Sequence, residues 1–225
     1  MQQVRRLGKL QAHSSVLMVC DVQERFRSVI THMPSVLHVA RTMVKAAPLL
    51  RVPVLVTEQN PKRLGRTASE LGVDETEGVR VFEKLKFSML TDEVRQTLER
   101  DHPERKDVLL LGIEVRPSYR AISEGAWLTN LSGAPTTLQA HVCVLQTVLD
   151  LLEGGYNVHV LADGTSSSRQ ADRLLALQRF SQAGAYVTTS ESALFQLMQS
   201  AEHPSFKAIS ALVKEERPDS GLSRL

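Results

Sequence analysis

The chain has 225 residues, of which 42% are hydrophobic and 23% charged, and this composition predicts one soluble globular domain. The 27 Lys and Arg residues nearly balance the 25 Asp and Glu residues, so the formal net charge of +2 argues against a nucleic-acid partner. No apolar run approaches the ~18 residues of a membrane-spanning helix, so we expect no membrane partner, and two cysteines are too few for a disulfide scaffold.

Short apolar runs alternate with longer stretches of helical periodicity along the chain. The first run, residues 15–21, is almost continuously apolar and ends in Asp21, as a buried parallel strand does. Apolar residues then recur at helical spacing over residues 36–50, with Pro34 near the start. Further strands are predicted at residues 52–58, 79–82, 108–113, 158–163 and 186–189, and further helices at residues 91–100, 142–152, 168–183, 192–200 and 206–215.

This alternation is typical of βαβ units, whose helices cover both faces of a parallel sheet. The sequence therefore predicts an α/β fold, a three-layer α/β/α sandwich around a six-stranded, mainly parallel sheet. We expect the domain to occupy residues 14–216, between a flexible N-terminus at residues 1–13 and a flexible tail at residues 217–225.

The two ends of the chain bear on its location in the cell. A cytosolic protein is expected, because no secretory signal pattern is present and the cysteine usage fits a reducing compartment. Ser-Arg-Leu at residues 223–225 resembles the peroxisomal Ser-Lys-Leu signal, which makes the peroxisome an alternative. The basic start, with Arg5, Arg6 and Lys9, leaves mitochondrial import as a second alternative.

Polar residues at the carboxyl ends of the predicted strands are the first candidates for a functional site, because ligands of open parallel sheets bind there. These residues are Asp21, Glu58, Gln59, Lys84, Glu114 and Asp163. Cys143 joins them at the start of a predicted helix, where backbone N–H donors favour a thiolate. A lysine nearby would strengthen that effect, and a carboxylate could accept the thiol proton.

Each of these residues also has a structural interpretation. Asp21 could cap the turn that follows its strand, and Lys84 could be a solvated surface charge. Cys20 and Cys143 could be small core residues, and Asp163 could lie in a capping loop. Residue types alone therefore leave both interpretations open.

The order and spacing of the residues resemble the isochorismatase-like cysteine hydrolases. The matching features are the apolar run before Asp21 with Gln23 after it, Glu58-Gln59, Lys84 ahead of Phe87-Ser88, Gly112-Ile113-Glu114, and Val142-Cys143-Val144. The similarity extends over about residues 14–114 and 140–222.

The resemblance implies a Rossmann-like sheet and assigns three catalytic roles: Asp21 as general base, Lys84 as the cation beside it and Cys143 as nucleophile. The thiolate would attack an amide-like carbonyl, and water would then cleave the thioester. The further residues assigned in this way are Gln23, Phe26 and Gln59 for substrate binding, and Glu114, Ala140 and Val142 for a loop that stabilises the oxyanion.

The substrate is not fixed by the resemblance, since members of the family act on vinyl ethers, amides and carbamoyl groups. Nicotinamidases of the family hold zinc through an Asp-x-His motif after the second strand, where this chain has Glu58-Gln59-Asn60-Pro61, so we expect no metal and no cofactor. A small-molecule substrate is the expected partner. A non-catalytic binding or scaffold protein is the alternative function, and homo-oligomerisation and a protein partner are left open.

One segment interrupts the pattern of the family. Residues 115–139 contain several Pro and Gly residues and the Trp of the chain, Trp127, without sustained periodicity. If this segment is removed, Gly112-Ile113-Glu114 continues directly into Ala140-His141-Val142-Cys143, as in the family. We interpret it as an insertion, and a retained short intron or an artefact of the gene model would explain its origin.

The insertion falls in the loop that the family uses for oxyanion donors, whose geometry must hold within about 0.5 Å. Deletion of residues 115–139 is therefore expected to raise the rate at which iodoacetamide alkylates Cys143, and to raise any hydrolase activity by up to about 10²–10³-fold, the usual effect of one oxyanion donor. Alkylation and turnover of the two chains, compared side by side, measure this. A deletion variant that loses activity or fails to fold would show that the segment is a working part of the protein.

Overall fold

The computed structural model describes residues 7–114 and 142–222. The predicted insertion at residues 115–139, Ala140, the basic residues Arg5 and Arg6, and the Ser-Arg-Leu end at residues 223–225 lie outside these ranges. Within the described ranges, no helix is long and apolar enough to cross a membrane. The cellular location stays a prediction.

Six strands form one parallel sheet, which confirms the predicted fold class. They are β1 (Ser15–Cys20), β2 (Val54–Gln59), β3 (Val79–Lys84), β4 (Asp107–Glu114), β5 (Asn157–Ser167) and β6 (Tyr186–Thr188). Their order in the sheet is β3-β2-β1-β4-β5-β6. The chain thus builds the sheet outwards from β1 in one direction and then, from β4, in the other.

The described residues contain seven α-helices. They are α1 (Met33–Leu49), α2 (Pro61–Leu64), α3 (Asp92–Asp101), α4 (Cys143–Glu153), α5 (Gln170–Ala183), α6 (Ser190–Met198) and α7 (Phe206–Val213). Alternate residues of β1 separate into two hydrophobic cores: Leu17 and Val19 pack with α1, α6 and α7, whereas Val16 and Met18 pack with α3, α4 and α5. The result is the predicted three-layer sandwich.

Strand β5 is longer than the sequence predicts. It continues from Asp163 to Ser167, because Thr165, Ser166 and Ser167 pair with the end of β4 after a register shift between Leu110 and Gly112. The polar composition of this stretch had indicated a loop. The stretch is buried, and its backbone groups pair with β4 as buried backbone groups must.

Several helix boundaries also shift. Helix α5 begins at Gln170 instead of 168, because β5 continues to Ser167 and the backbone is still extended at Arg169. Helix α6 begins at Ser190, whose backbone N–H and hydroxyl both donate to the carboxylate of Asp163. Asp163 therefore caps a helix, as the structural interpretation expected, but it does so from strand β5 and not from a loop.

The ends of the chain are less free than predicted. Leu10 is fully buried in the core on the α1 face, so the expected flexible N-terminus does not extend to it. In the tail, the buried guanidinium of Arg173 donates to the carbonyl of Ser220, Gln170 donates to the carbonyl of Gly221, and Leu222 packs against the α3–α5 core. A prediction from polarity alone missed these backbone contacts.

Candidate active site

The site lies where the sheet changes direction. Strands β2 and β4 flank β1, so the crevice at the carboxyl end of β1 is the place where open α/β sheets bind ligands. Asp21 follows β1 with a positive φ of 55°, Glu114 ends β4, and Cys143 begins α4. The parallel arrangement thus gathers residues that are far apart in sequence.

A buried ion pair occupies this crevice. Nζ of Lys84, at the end of β3, lies 2.7 Å from Oδ2 of Asp21, and both side chains are 0% exposed. The ammonium group also donates to Oε1 of Gln59 at 2.8 Å and to the carbonyl oxygen of Phe87 at 2.8 Å. Oδ1 of Asp21 accepts a hydrogen bond of 2.8 Å from the Thr57 hydroxyl.

The electrostatic environment keeps Lys84 charged. Burial by itself would lower the pKa of Lys84, but the charge of Asp21 and the hydrogen bond to it hold the pKa above its ordinary value. Lys84 is thus a buried cation whose charge acts on both cysteines, and its surface interpretation is wrong.

The two cysteines differ in their environments. Cys143 is the first residue of α4 and is 2% exposed. Cys20 is fully buried, and its Sγ lies 3.6 Å from Oδ2 of Asp21. Burial, a hydrogen bond with Cys143 and the charge of Asp21 raise the pKa of the Cys20 thiol well above its ordinary value. Cys20 therefore stays a neutral thiol. Of the two cysteines, only Cys143 lies at a helix N-terminus, where backbone N–H groups favour a thiolate.

The predicted substrate-binding residues have internal partners in this structure. Gln23 donates to the carbonyl oxygens of Gln59 and Gly65, at 3.1 and 2.6 Å, and accepts from the backbone N–H of Gln59 at 2.8 Å. Gln59 holds Lys84 and donates to the carbonyl of Leu85. Phe26 is 1% exposed in the core on the α1 face. These bonds shape the crevice, and contact with substrate stays a prediction for all three.

Glu114, which the resemblance assigns to the oxyanion loop, contacts the start of α4. Its carboxylate accepts hydrogen bonds from the backbone N–H groups of Val142 at 2.6 Å, Val144 at 3.2 Å and Leu145 at 2.7 Å. Val142, which the resemblance also assigns to the oxyanion loop, thus donates its N–H group to Glu114 in this structure. Burial raises the pKa of Glu114 to about 7, against the opposing effect of these donors.

Glu58 stands where the zinc motif of the nicotinamidases begins. Its carboxylate accepts from the backbone N–H and hydroxyl of Thr67, at 2.6 and 2.8 Å, and from Arg66 at 2.9 Å. Within residues 7–114 and 142–222, no cluster of three or more His, Cys, Asp and Glu residues could hold a metal ion. The carboxylate of Glu58 instead fastens the loop after β2.

Two of these positions were outside the reach of sequence reasoning. Thr57 is one residue before the Glu58-Gln59 pair and reads as an ordinary strand residue, yet its hydroxyl orients Asp21. Cys20 is predicted as a core residue and does lie in the core, but its thiol also contacts the Asp21 carboxylate of the site. Thr57 does belong to the Thr57-Glu58-Gln59 segment that carries the family resemblance, but its role follows only from the strand register, in which it lies beside Cys20.

Comparison with known proteins gives consistent matches. The model of the isochorismatase domain family matches residues 15–116 and 138–192. The secreted isochorismatase effector Isc1 of Phytophthora sojae is 49% identical over 94% of this chain and 90% of its own length. Human isochorismatase domain-containing protein 2 is 44% identical over 96% of this chain and 91% of its own.

A solved structure is also similar. The structure of MAR1 ribonuclease from Caenorhabditis elegans has a TM-score of 0.78 and 37% sequence identity, covering 95% of this chain and 96% of that one. The family model leaves out residues 117–137, which fall inside the segment interpreted above as an insertion.

The buried pair generates a prediction about stability. Replacement Lys84→Met leaves the Asp21 carboxylate buried without its cation, so the free energy of unfolding should fall by about 3–5 kcal/mol, measured by urea denaturation. Lys86→Met is the matched control, because the Lys86 side chain is 53% exposed and lies 3.4 Å from Asp150. Its loss should be about 0–1 kcal/mol. Equal losses in the two variants would show that the pair is not a structural constraint.

Proposed function

Because the chain belongs to the isochorismatase family, we propose that it is a hydrolase whose nucleophile is Cys143. The observation that supports this most strongly is the buried Lys84–Asp21 pair at the carboxyl end of the sheet, with the thiol of Cys143 in the field of the lysine. The proposed substrate class is a small molecule with an amide-like carbonyl, and a vinyl ether is the second class that the family brings into consideration.

The proposed reaction begins with proton transfer from the Cys143 thiol to Asp21. The thiolate attacks the substrate carbonyl, and the proton passes from Asp21 to the leaving amine as the thioester forms. A water molecule, deprotonated by Asp21, then cleaves the thioester and regenerates the thiol. Lys84 does not transfer a proton in this scheme; its charge, together with the Thr57 hydroxyl, holds the Asp21 carboxylate in place.

A second candidate, a non-catalytic binding or scaffold protein, is favoured by one observation. The carboxylate of Glu114 takes up the N–H groups at the start of α4, which an oxyanion would otherwise use. The two candidates differ in the reactivity of Cys143. A nucleophile must be present partly as thiolate at neutral pH, whereas a core cysteine is inert.

Cys143 should therefore react with iodoacetamide faster than Cys20 at pH 7, with the labelled positions identified by peptide mass spectrometry. Cys20→Ala should keep the fast reaction, and Cys143→Ala should lose it. Equally slow reaction of both thiols would rule out the hydrolase.

Turnover is tested with a panel of small amides, carbamoyl compounds and vinyl ethers. A substrate of the proposed class should leave an acyl group on Cys143 that is trapped by rapid acid quenching and located by mass spectrometry. Cys143→Ala should reduce the rate by at least about 10³-fold. Turnover that survives this substitution would contradict the proposed nucleophile.

A further inference from the structure

Helix α4 lacks a cap of its own. Its N-cap residue is Val142, which has no side-chain hydrogen bond to offer, and the residues that follow are Cys143 and Val144. Helices normally begin with Ser, Thr, Asp or Asn, because their side chains satisfy the first N–H groups. Here the carboxylate of Glu114 satisfies them from the end of a neighbouring strand.

Glu114 is fixed at both ends. Its backbone pairs with Ser167 of β5, and the Ser167 hydroxyl donates to its carbonyl oxygen at 3.4 Å. Its side chain, which is buried, reaches the first turn of α4. The residue therefore ties the first turn of α4, in which Cys143 lies, to the sheet.

The charge of Glu114 also bears on Cys143. A helix N-terminus carries the equivalent of about half a positive charge, which stabilises either a carboxylate or a thiolate placed there. The groups that face Glu114 are the N–H groups of α4 and Ser167 of β5. Cys143 instead has the Cys20 thiol of β1 as a hydrogen-bond partner and lies in the field of the pair between Lys84 of β3 and Asp21. An ionised Glu114 thus offsets the helix field that Cys143 would use.

We propose that Glu114 is a positioning residue, which holds the first turn of α4 against the sheet and controls by its own ionisation how readily Cys143 forms a thiolate. This inference rests on the proposed function, in which the thiolate of Cys143 is the nucleophile. Since the pKa of Glu114 is raised to about 7 by burial, its effect changes within the neutral range.

The direction of the effect follows from the charge. Below pH 7 the Glu114 carboxyl is largely neutral and leaves the helix field to Cys143. Above pH 7 it is ionised and opposes the thiolate. Glu114→Gln keeps an acceptor oxygen but removes the charge, so it should accelerate alkylation of Cys143 at pH 8 by about three- to tenfold, with a ratio to the wild type near one at pH 6.

The test measures alkylation of Cys143 by iodoacetamide from pH 5.5 to 9 in the full chain. A pH-dependent ratio between Glu114→Gln and the wild type supports the inference, and a ratio that is constant with pH overturns it, because a purely structural cap would give a constant ratio. Glu58→Gln is the matched control, since Glu58 is a buried strand-end carboxylate that does not touch α4, and its ratio should not vary with pH.

A second measurement needs no variant and covers the case in which Glu114→Gln fails to fold. The wild-type alkylation profile should depart near pH 7, where Glu114 ionises, from the curve of a single titrating group, and a profile that follows a single-group curve overturns the inference. Neither measurement depends on turnover. A protein that shows both signatures yet turns over no substrate would contradict the proposed hydrolase, whereas one that turns over substrate through Cys143 without these signatures would contradict only the role of Glu114.

Discussion

The buried ion pair between Lys84 and Asp21 is the interaction on which the site depends. Two charges without solvent exposure cost several kcal/mol each unless they are paired and hydrogen-bonded. The sheet meets this requirement because β3, β2 and β1 are adjacent and parallel, so that each strand ends beside the next. Lys84 comes from β3, its acceptor Gln59 from β2 and Asp21 from the end of β1. The ion pair can therefore form only if the three strands lie in this order.

Much of the fold could be predicted from the sequence. Continuous apolar runs such as residues 15–20 are readable as buried parallel strands, and the alternation with helices fixes the three layers. The same patterns place Asp21, Lys84 and Cys143 at strand ends or a helix start. They do not say that Lys84 pairs with Asp21, because strand order is not contained in local periodicity; the family resemblance supplied that pairing, and the distance of 2.7 Å agrees with it.

What the sequence could not provide depends on contacts between distant segments. The cap of α4 comes from Glu114, which is 28 residues before Val142 in the sequence, so no local capping motif predicts it. Strand β5 continues through Thr165 to Ser167 because β4 is there to pair with it. Leu10 is a single apolar residue in a polar stretch, and its burial depends on a core formed elsewhere in the chain.

A double-mutant cycle on the ion pair tests the central claim most directly. The free energies of unfolding of Lys84→Met, Asp21→Asn and the double variant are compared with that of the wild type by urea denaturation. Each single variant leaves one buried charge unpaired, whereas the double variant leaves none. The free energy of unfolding of the double variant should therefore be at least as high as that of the less stable single variant. Losses that add to within about 0.5 kcal/mol would contradict the account, because the two residues would then contribute independently.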